Sequence, residues 1–481
     1  MNEDVKKKTI VNLVWRYAER CGAQVIQFVV QIILARLLTP SDYGIIGLIT
    51  VFISISLVFA QSGLGQALVQ RKEVDNEEFS TVFYFSMIFS VVLYGVLFVG
   101  APVISNFYNE PVLTNIVRVL GVTVVIGAVN SVQQAYVQKT MQFKRFFWST
   151  LGGTLVSAVV GIYMAYSGFG VWALVGQQIA NQLVNTLILW FTVKWRPMLI
   201  FSISKAKRLF SYGWKLLCSS LIDTIYNNIY SLIIGKFYSS AELGYYNRGK
   251  QFPVLIIQNI NSAIDSVLFP VMAEAQDERQ RLKAMVRRSI VTSTFLIFPA
   301  MAGLAAIAKP LTVILLTEKW LPAVPFIWFC CFTYAFWPVH TANLQAIKAL
   351  GRSDIFLKLE IIKKLIGVAV LVITIPFGLY TMMWGQCLTT LVSSVINAFP
   401  NKSLLGYSYL EQIKDMLPSL ILSLMMLIVV SMIQLFDWND LLTMVVQIII
   451  GVLLYLSGAK LFKLECMEYL LNTIKTMIIK Q

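Results

Sequence analysis

The sequence predicts an all-α integral membrane protein of about fourteen transmembrane helices, built as two six-helix lobes related by a pseudo-two-fold along the membrane normal, with two C-terminal helices and an amphipathic tail. Composition is the first observation. Of 481 residues, 57% are hydrophobic and 13% charged, and the mean hydropathy is +0.72, which leaves too little polar surface to cover a soluble globule. The second is a series of apolar runs long enough to cross a bilayer, separated by short loops that are alternately rich and poor in Lys and Arg. The third is an internal repeat. Ile33, Arg36, Asp42 and Gly44 recur as Ile233, Lys236, Glu242 and Gly244, and further on Phe169-Gly170 recurs as Phe377-Gly378 and Gly176-Gln177 as Gly385-Gln386. An even number of spans per repeat inserts both halves in the same orientation, and a binding site belongs at the interface between them.

The runs fall near 10–35, 44–66, 80–104, 113–137, 147–166, 171–193, 209–235, 246–271, 289–308, 324–347, 360–376, 380–399, 416–436 and 441–459. Basic residues cluster at Lys6 to Lys8, Arg71-Lys72, Lys139 to Arg145, Lys194 to Arg208, Arg279 to Arg288, Lys348 to Lys358, Lys402 and Lys414, and after Gly458. By the positive-inside rule both termini are cytoplasmic. The net charge of +15 is therefore topogenic and does not point to nucleic acid. Trp148, Trp195 and Trp214 near inner ends and Trp172, Trp320 and Trp438 near outer ends read as interfacial belts. The lobes are expected at 1–200 and 201–400, joined by Lys194 to Arg208, and 401–481 carries the last two helices and the tail. In that tail Leu464, Met467, Leu471, Ile474 and Ile478 share one face opposite Lys463, Glu468 and Lys475. The six cysteines show no metal-ligand spacing and read as small buried hydrophobes without disulfides.

The first helix is unlike a plain membrane anchor. Arg16, Arg20, Gln24, Gln27 and Gln31 follow at steps of three and four, so one stripe is polar. A charge near the middle of a bare transmembrane helix costs roughly 2.5 to 3.5 kcal/mol on insertion scales, so this stripe faces protein or water. The competing reading has Arg16 and Arg20 snorkelling to lipid phosphates, which leaves the glutamines unexplained. The seventh helix repeats the pattern with Lys215, Ser219, Asp223, Asn227 and Ser231. Two wet faces across a cleft, with Arg118, Arg248 and Lys250 on neighbouring helices, make a cationic cavity suited to an anionic substrate. In this reading Arg16, Arg20, Lys215 and Arg248 hold the anion, and Gln24, Gln27, Gln31 and Asn227 face its uncharged part. Asp223 and Asp265 are candidates for coupling to H⁺ or Na⁺, whereas Glu19, three residues from Arg16, reads better as its neutralising partner. At the outer ends, Arg36 with Glu242 and Lys236 with Asp42 can form a gate latch, or each carboxylate can cap its own helix. The single histidine, His340, reads as a hydrogen-bonding group within the bundle. There is no Walker motif and no loop long enough for a catalytic domain, so an ATP motor and a glycan polymerase are both disfavoured. No cofactor is expected, and the chain reads as a transporter, not an enzyme.

Several runs resemble the polysaccharide-transporter family. They are Gly63-Leu64-Gly65-Gln66-Ala67-Leu68-Val69-Gln70-Arg71-Lys72, Gly168-Phe169-Gly170-Val171-Trp172-Ala173-Leu174-Val175 with Gln177-Gln178, and Glu318-Lys319-Trp320-Leu321-Pro322-Ala323-Val324-Pro325. Leu268-Phe269-Pro270 and Phe298-Pro299-Ala300-Met301-Ala302-Gly303 add to the likeness, which is nearest to exporters of the colanic-acid and teichuronic-acid type. The resemblance implies a bacterial inner-membrane flippase of the superfamily that also holds multidrug exporters and the peptidoglycan lipid flippase. Its substrate would be undecaprenyl-diphosphate-linked oligosaccharide repeat units, moved to the outer leaflet by alternating access for capsule, exopolysaccharide or O-antigen-type export. Membrane lipids and a polysaccharide polymerase or export machinery would be its partners. The alternative is a cation-coupled exporter of small amphiphiles, which would favour an acidic cavity.

Overall fold

A computed structural model describes residues 3–61, 65, 68, 69, 74–436 and 438–468; the side chains of 3–14, 16–18, 20, 21, 61, 209, 212, 263 and 265–267 lie outside that description. All regular structure among the described residues is helical. The helices are α1 (Glu3–Leu37), α2 (Pro40–Gln61), α3 (Asn76–Tyr108), α4 (Leu113–Lys139), α5 (Lys144–Tyr166), α6 (Val171–Thr192), α7 (Ile203–Phe237) and α8 (Ser240–Glu274). They continue as α9 (Arg279–Ala306), α10 (Ala308–Leu316), α11 (Val324–Ala335), α12 (Trp337–Ala349), α13 (Ser353–Thr374), α14 (Leu379–Leu405), α15 (Tyr409–Met432) and α16 (Asp440–Leu461). Each apolar run read from sequence falls mainly on one of these helices, apart from residues 62–64 and 66, which lie outside the described residues; the run at 324–347 is split between α11 and α12 at Phe336, ahead of Pro338. Among the described residues, eight helical stretches are by themselves long and apolar enough to span a bilayer.

Local chemistry sets the helix ends. Asp75 caps α3 by accepting from the Glu78 amide at 2.7 Å, and Asn109 ends it in the left-handed region at φ 56°. Ser408 and Glu411 form a reciprocal capping box on α15. Gly170 before α6 and Gly378 before α14 both have positive φ, 53° and 98°. These repeat-equivalent turns therefore need glycine.

The chain divides into two compact units, Met1–Gly244 and Tyr245–Gln481. In the first, α5 packs on α6 and α1, α3 on α4, and α7 on α2 and α3. By its contacts α7 falls in the first unit. The Lys194 to Ser202 stretch explains this. Met198 N donates to Ser80 Oγ at 2.9 Å and Ser202 N to Thr81 Oγ1 at 3.2 Å, which fixes the connection to α3 and carries α7 with it. Trp195, expected in an interfacial belt, is buried against Phe79, Phe83 and Tyr136. In the second unit α15 lies along α9, α16 along α15, and α13 on α14. Trp320, also expected in a belt, is fully buried there against Tyr245. Of the expected tail helix, residues 465–468 are helical and 469–481 lie outside the described residues.

Candidate functional site

The backbone of α1 runs unbroken through Arg16 and Arg20, whose side chains lie outside the described residues. Glu19 is buried and accepts from Thr150 Oγ1 of α5 at 3.0 Å, so this face of α1 turns toward α5. Trp15 meets Phe147 edge-on beside it. Gln24 and Gln31 are half-buried and Gln27 is exposed. On α7, Lys215, Ser219, Asp223 and Asn227 are all exposed, and of this row only Ser231, nearest the C-terminal end of the helix, is buried. Both polar rows lie in the first unit. Arg248 of the second unit is buried, its guanidinium donating to Gln251 and lying 5.9 Å from the Trp320 ring. Asp265 is helical in backbone, with its side chain outside the described residues.

At the starts of α2 and α8 both carboxylates act as caps. Asp42 accepts from the Thr39 amide and hydroxyl at 2.8 and 2.7 Å, and its own amide donates to Thr39 Oγ1. Glu242 does the same with Ser239 at 2.9 and 2.8 Å. Lys236 donates to the Phe107 carbonyl and lies 4.2 Å from the Phe107 ring.

Sequence reading missed a pair of buried amide clamps. In the first unit Asn130 Nδ2 of α4 donates to Asn185 Oδ1 of α6 at 3.1 Å. In the second, Asn397 of α14 meets His340 Nδ1 of α12 at 3.1 Å, which places His340 in a bundle hydrogen bond. Next to it Asn343, Asn401 and Gln412 form a fully buried triangle, with Asn343 and Gln412 exchanging two bonds at 2.9 and 3.0 Å. The drift of the repeat offset to about 210 residues would have revealed the correspondence.

The second unit also holds an apolar cavity of about 380 Å³ between α8, α9, α15 and α16, lined by Phe295, Pro299, Gly303, Met426, Gly451 and Tyr455 among others. Ion pairs close the ends of both units. Lys205 of α7 binds Asp75 at 2.5 Å and Glu77 at 2.6 Å, and Arg208 binds Glu78 at 2.7 Å. Arg287 of α9 binds Asp415 of α15 at 3.1 Å and Glu465 at 2.8 Å. The hydrogen bond from Lys205 holds the Asp75 carboxyl below its ordinary range.

Residues 33–325 match the family model described as polysaccharide biosynthesis protein. The chain belongs to that family. The matched region begins near the C-terminal end of α1 and stops at Pro325 in α11, so it spans the α7 row and the caps at Asp42 and Glu242. Among curated relatives, this polysaccharide biosynthesis protein is 25% identical over 327 residues to the succinoglycan biosynthesis transport protein ExoT of Rhizobium meliloti (strain 1021), covering 68% of this chain and 66% of the relative. It is 26% identical over 364 residues to the teichuronic acid biosynthesis protein TuaB of Bacillus subtilis (strain 168), covering 73% of each. Its fold is that of the lipid II flippase MurJ in an inward closed conformation, with a TM-score of 0.75 at 14% identity, over 94% of this chain and 98% of that one. The fold is also similar to that of a multidrug resistance MATE family transporter in an inward-facing conformation, with a TM-score of 0.62 at 15% identity, over 79% of this chain and 95% of that one.

Proposed function

We propose that this protein is a flippase that moves undecaprenyl-diphosphate-linked oligosaccharide repeat units from the inner to the outer leaflet of the bacterial cytoplasmic membrane by alternating access. The observation that carries the reading is the exposed row Lys215, Ser219, Asp223 and Asn227 on a helix of transmembrane length, in a member of a polysaccharide biosynthesis family. Side chains of that polarity are stable at such depth only beside water, protein or a polar ligand. Arg16 and Arg20, with Lys215, hold the diphosphate, and the glutamines of α1 with Asn227 meet sugar hydroxyls. The apolar cavity of the second unit has the chemistry to hold part of a polyprenyl chain. Both termini are cytoplasmic in this reading, fourteen helices span the membrane, and lobes at 1–200 and 201–400 rock about the bound headgroup. A polymerase on the outer face consumes the product.

Charge-assisted contacts to a desolvated anion are worth roughly 1.5 to 3 kcal/mol each, so loss of one lowers affinity about ten- to a hundredfold. Arg20→Ala should abolish polysaccharide export while the protein still inserts in normal amount. Arg20→Lys should restore it in part, because a point charge replaces a planar fork. Wild-type export by Arg20→Ala at matched expression would remove α1 from the substrate path.

A further inference from the structure

Helices α2 and α8 begin at repeat-equivalent residues, Pro40 and Ser240, each behind its own capping box. Their first turns cross so closely that two glycines have no room for a side chain. A Cβ built on Gly44 would overlap the carbonyl oxygen of Ser240, and one built on Gly244 would overlap the carbonyl oxygen of Pro40. The obstruction is reciprocal and lies in backbone, so no rotamer change relieves it. Gly235 of α7 extends the close packing inward, where a Cβ would run into the Leu48 side chain of α2. Two further ties hold the same turn. The Ser240 hydroxyl donates to the Glu110 carboxylate, and Lys236 donates to the Phe107 carbonyl. Gly127, Gly152, Gly176 and Gly458 are also crowded, but by side chains, whereas a Cβ on Gly44 or Gly244 would lie 1.7 or 2.0 Å from a backbone carbonyl oxygen.

We propose that the Gly44–Gly244 crossing is the outer closure of the translocation path, a steric seal in which backbone packs on backbone; the proposal rests on the flippase reading above. Asp42 and Glu242 are satisfied within their own caps, so the two helix starts can part with both caps intact, giving up only the Ser240 tie to Glu110 and the Lys236 tie to Phe107. An ionic latch would instead expose or bury unpaired charge at each cycle, which is costly. Close packing also makes the contact two-state, since well-packed surfaces do not deform by degrees.

The test uses the full-length protein in right-side-out vesicles, with Cys21 and Cys218 replaced by serine and Gln27→Cys as reporter. A charged, membrane-impermeant methanethiosulfonate is added from outside. Gly44→Ala and Gly244→Ala should each raise the labelling rate about tenfold or more, as expected when a clash disfavours one of two states. Both should also cut export, while Gly100→Ala changes neither. Labelling of the two alanine variants at the unsubstituted rate, with equal protein in the membrane, overturns the proposal. Should they fail to accumulate, Glu110→Ala removes the Ser240 tie without adding bulk; a smaller rise supports the closure, and an unchanged rate overturns it. Faster labelling in the glycine variants of a protein that moves no lipid-linked oligosaccharide keeps the closure and removes the substrate reading. Transport by the unsubstituted protein with unchanged labelling in the variants does the reverse.

Discussion

Asn343 shows what a single buried residue can do in this protein. Its amide bonds Gln412 in both directions and its Oδ1 also accepts from Asn401 at 2.7 Å, so one side chain on α12 joins α14 to α15. Removing it strands two buried amides that have no water to turn to. Asn343→Ala should therefore cost about 1 to 2 kcal/mol, within the range for polar contacts between membrane helices. A lowered apparent Tm in detergent with export retained is the expected result, and an unchanged Tm would mean that the triangle relaxes without loss. This cluster escaped sequence reading because each amide, taken alone on an apolar helix, looks like any other polar interruption. The outer carboxylates were more legible, since Thr39 and Ser239 precede Asp42 and Glu242 at the three-residue spacing of a cap.

Each unit docks the helix that follows its six-helix segment by charge, with opposite polarity. Acids of the Asp75 to Glu78 turn at the start of α3 meet Lys205 and Arg208 of α7, whereas Arg287 of α9 meets acids on α15 and at Glu465. Exchanging partners would set like charges together, so the arrangement favours one pairing. Lys205→Glu should lower the apparent Tm by a few degrees, and the double variant with Asp75→Lys should recover part of it; failure of any recovery would show that the pair is incidental. Hydrogen bonds from Lys205 and Arg287 hold the Asp75 and Glu465 carboxyls below their ordinary values. Their stabilisation is therefore fully present above the unfolded-state values and is lost as pH falls through the lower folded values. Thermal stability should accordingly stay flat from about pH 6 to 8 and fall only below about pH 4, and Lys205→Ala should blunt that fall. Measured unfolding across this range decides the matter. The basic loops were plain in sequence, but the acids they meet were not.

For the whole molecule, direction of transport is the open physical question that the fold frames. No nucleotide-binding motif is present in the sequence, and Asp223 is an exposed acid on a helix of transmembrane length. An acid facing water inside the membrane can take up a proton or Na⁺ in one state and release it in the other. In proteoliposomes, flipping should accelerate when a proton or sodium gradient is imposed, and Asp223→Asn should lower the gradient-driven rate severalfold while leaving exchange at equilibrium intact. Equal rates with and without both gradients, together with a full rate for Asp223→Asn, would assign the direction to consumption of product outside.

Sequence alone determined the membrane class, the positions of the helices, the repeat and the family resemblance, because lipid burial and helical periodicity act over a few residues at a time. It also offered caps at Asp42 and Glu242, beside a latch between the two helix starts. Only the tertiary structure decided that α7 belongs with the first unit, that Arg248 is buried beside Trp320 while Lys215 is exposed, and that Gly44 and Gly244 meet backbone across a crossing. Those outcomes depend on partners far away in the chain, sometimes nearly 200 residues, and nothing in local hydropathy distinguishes one such pairing from another.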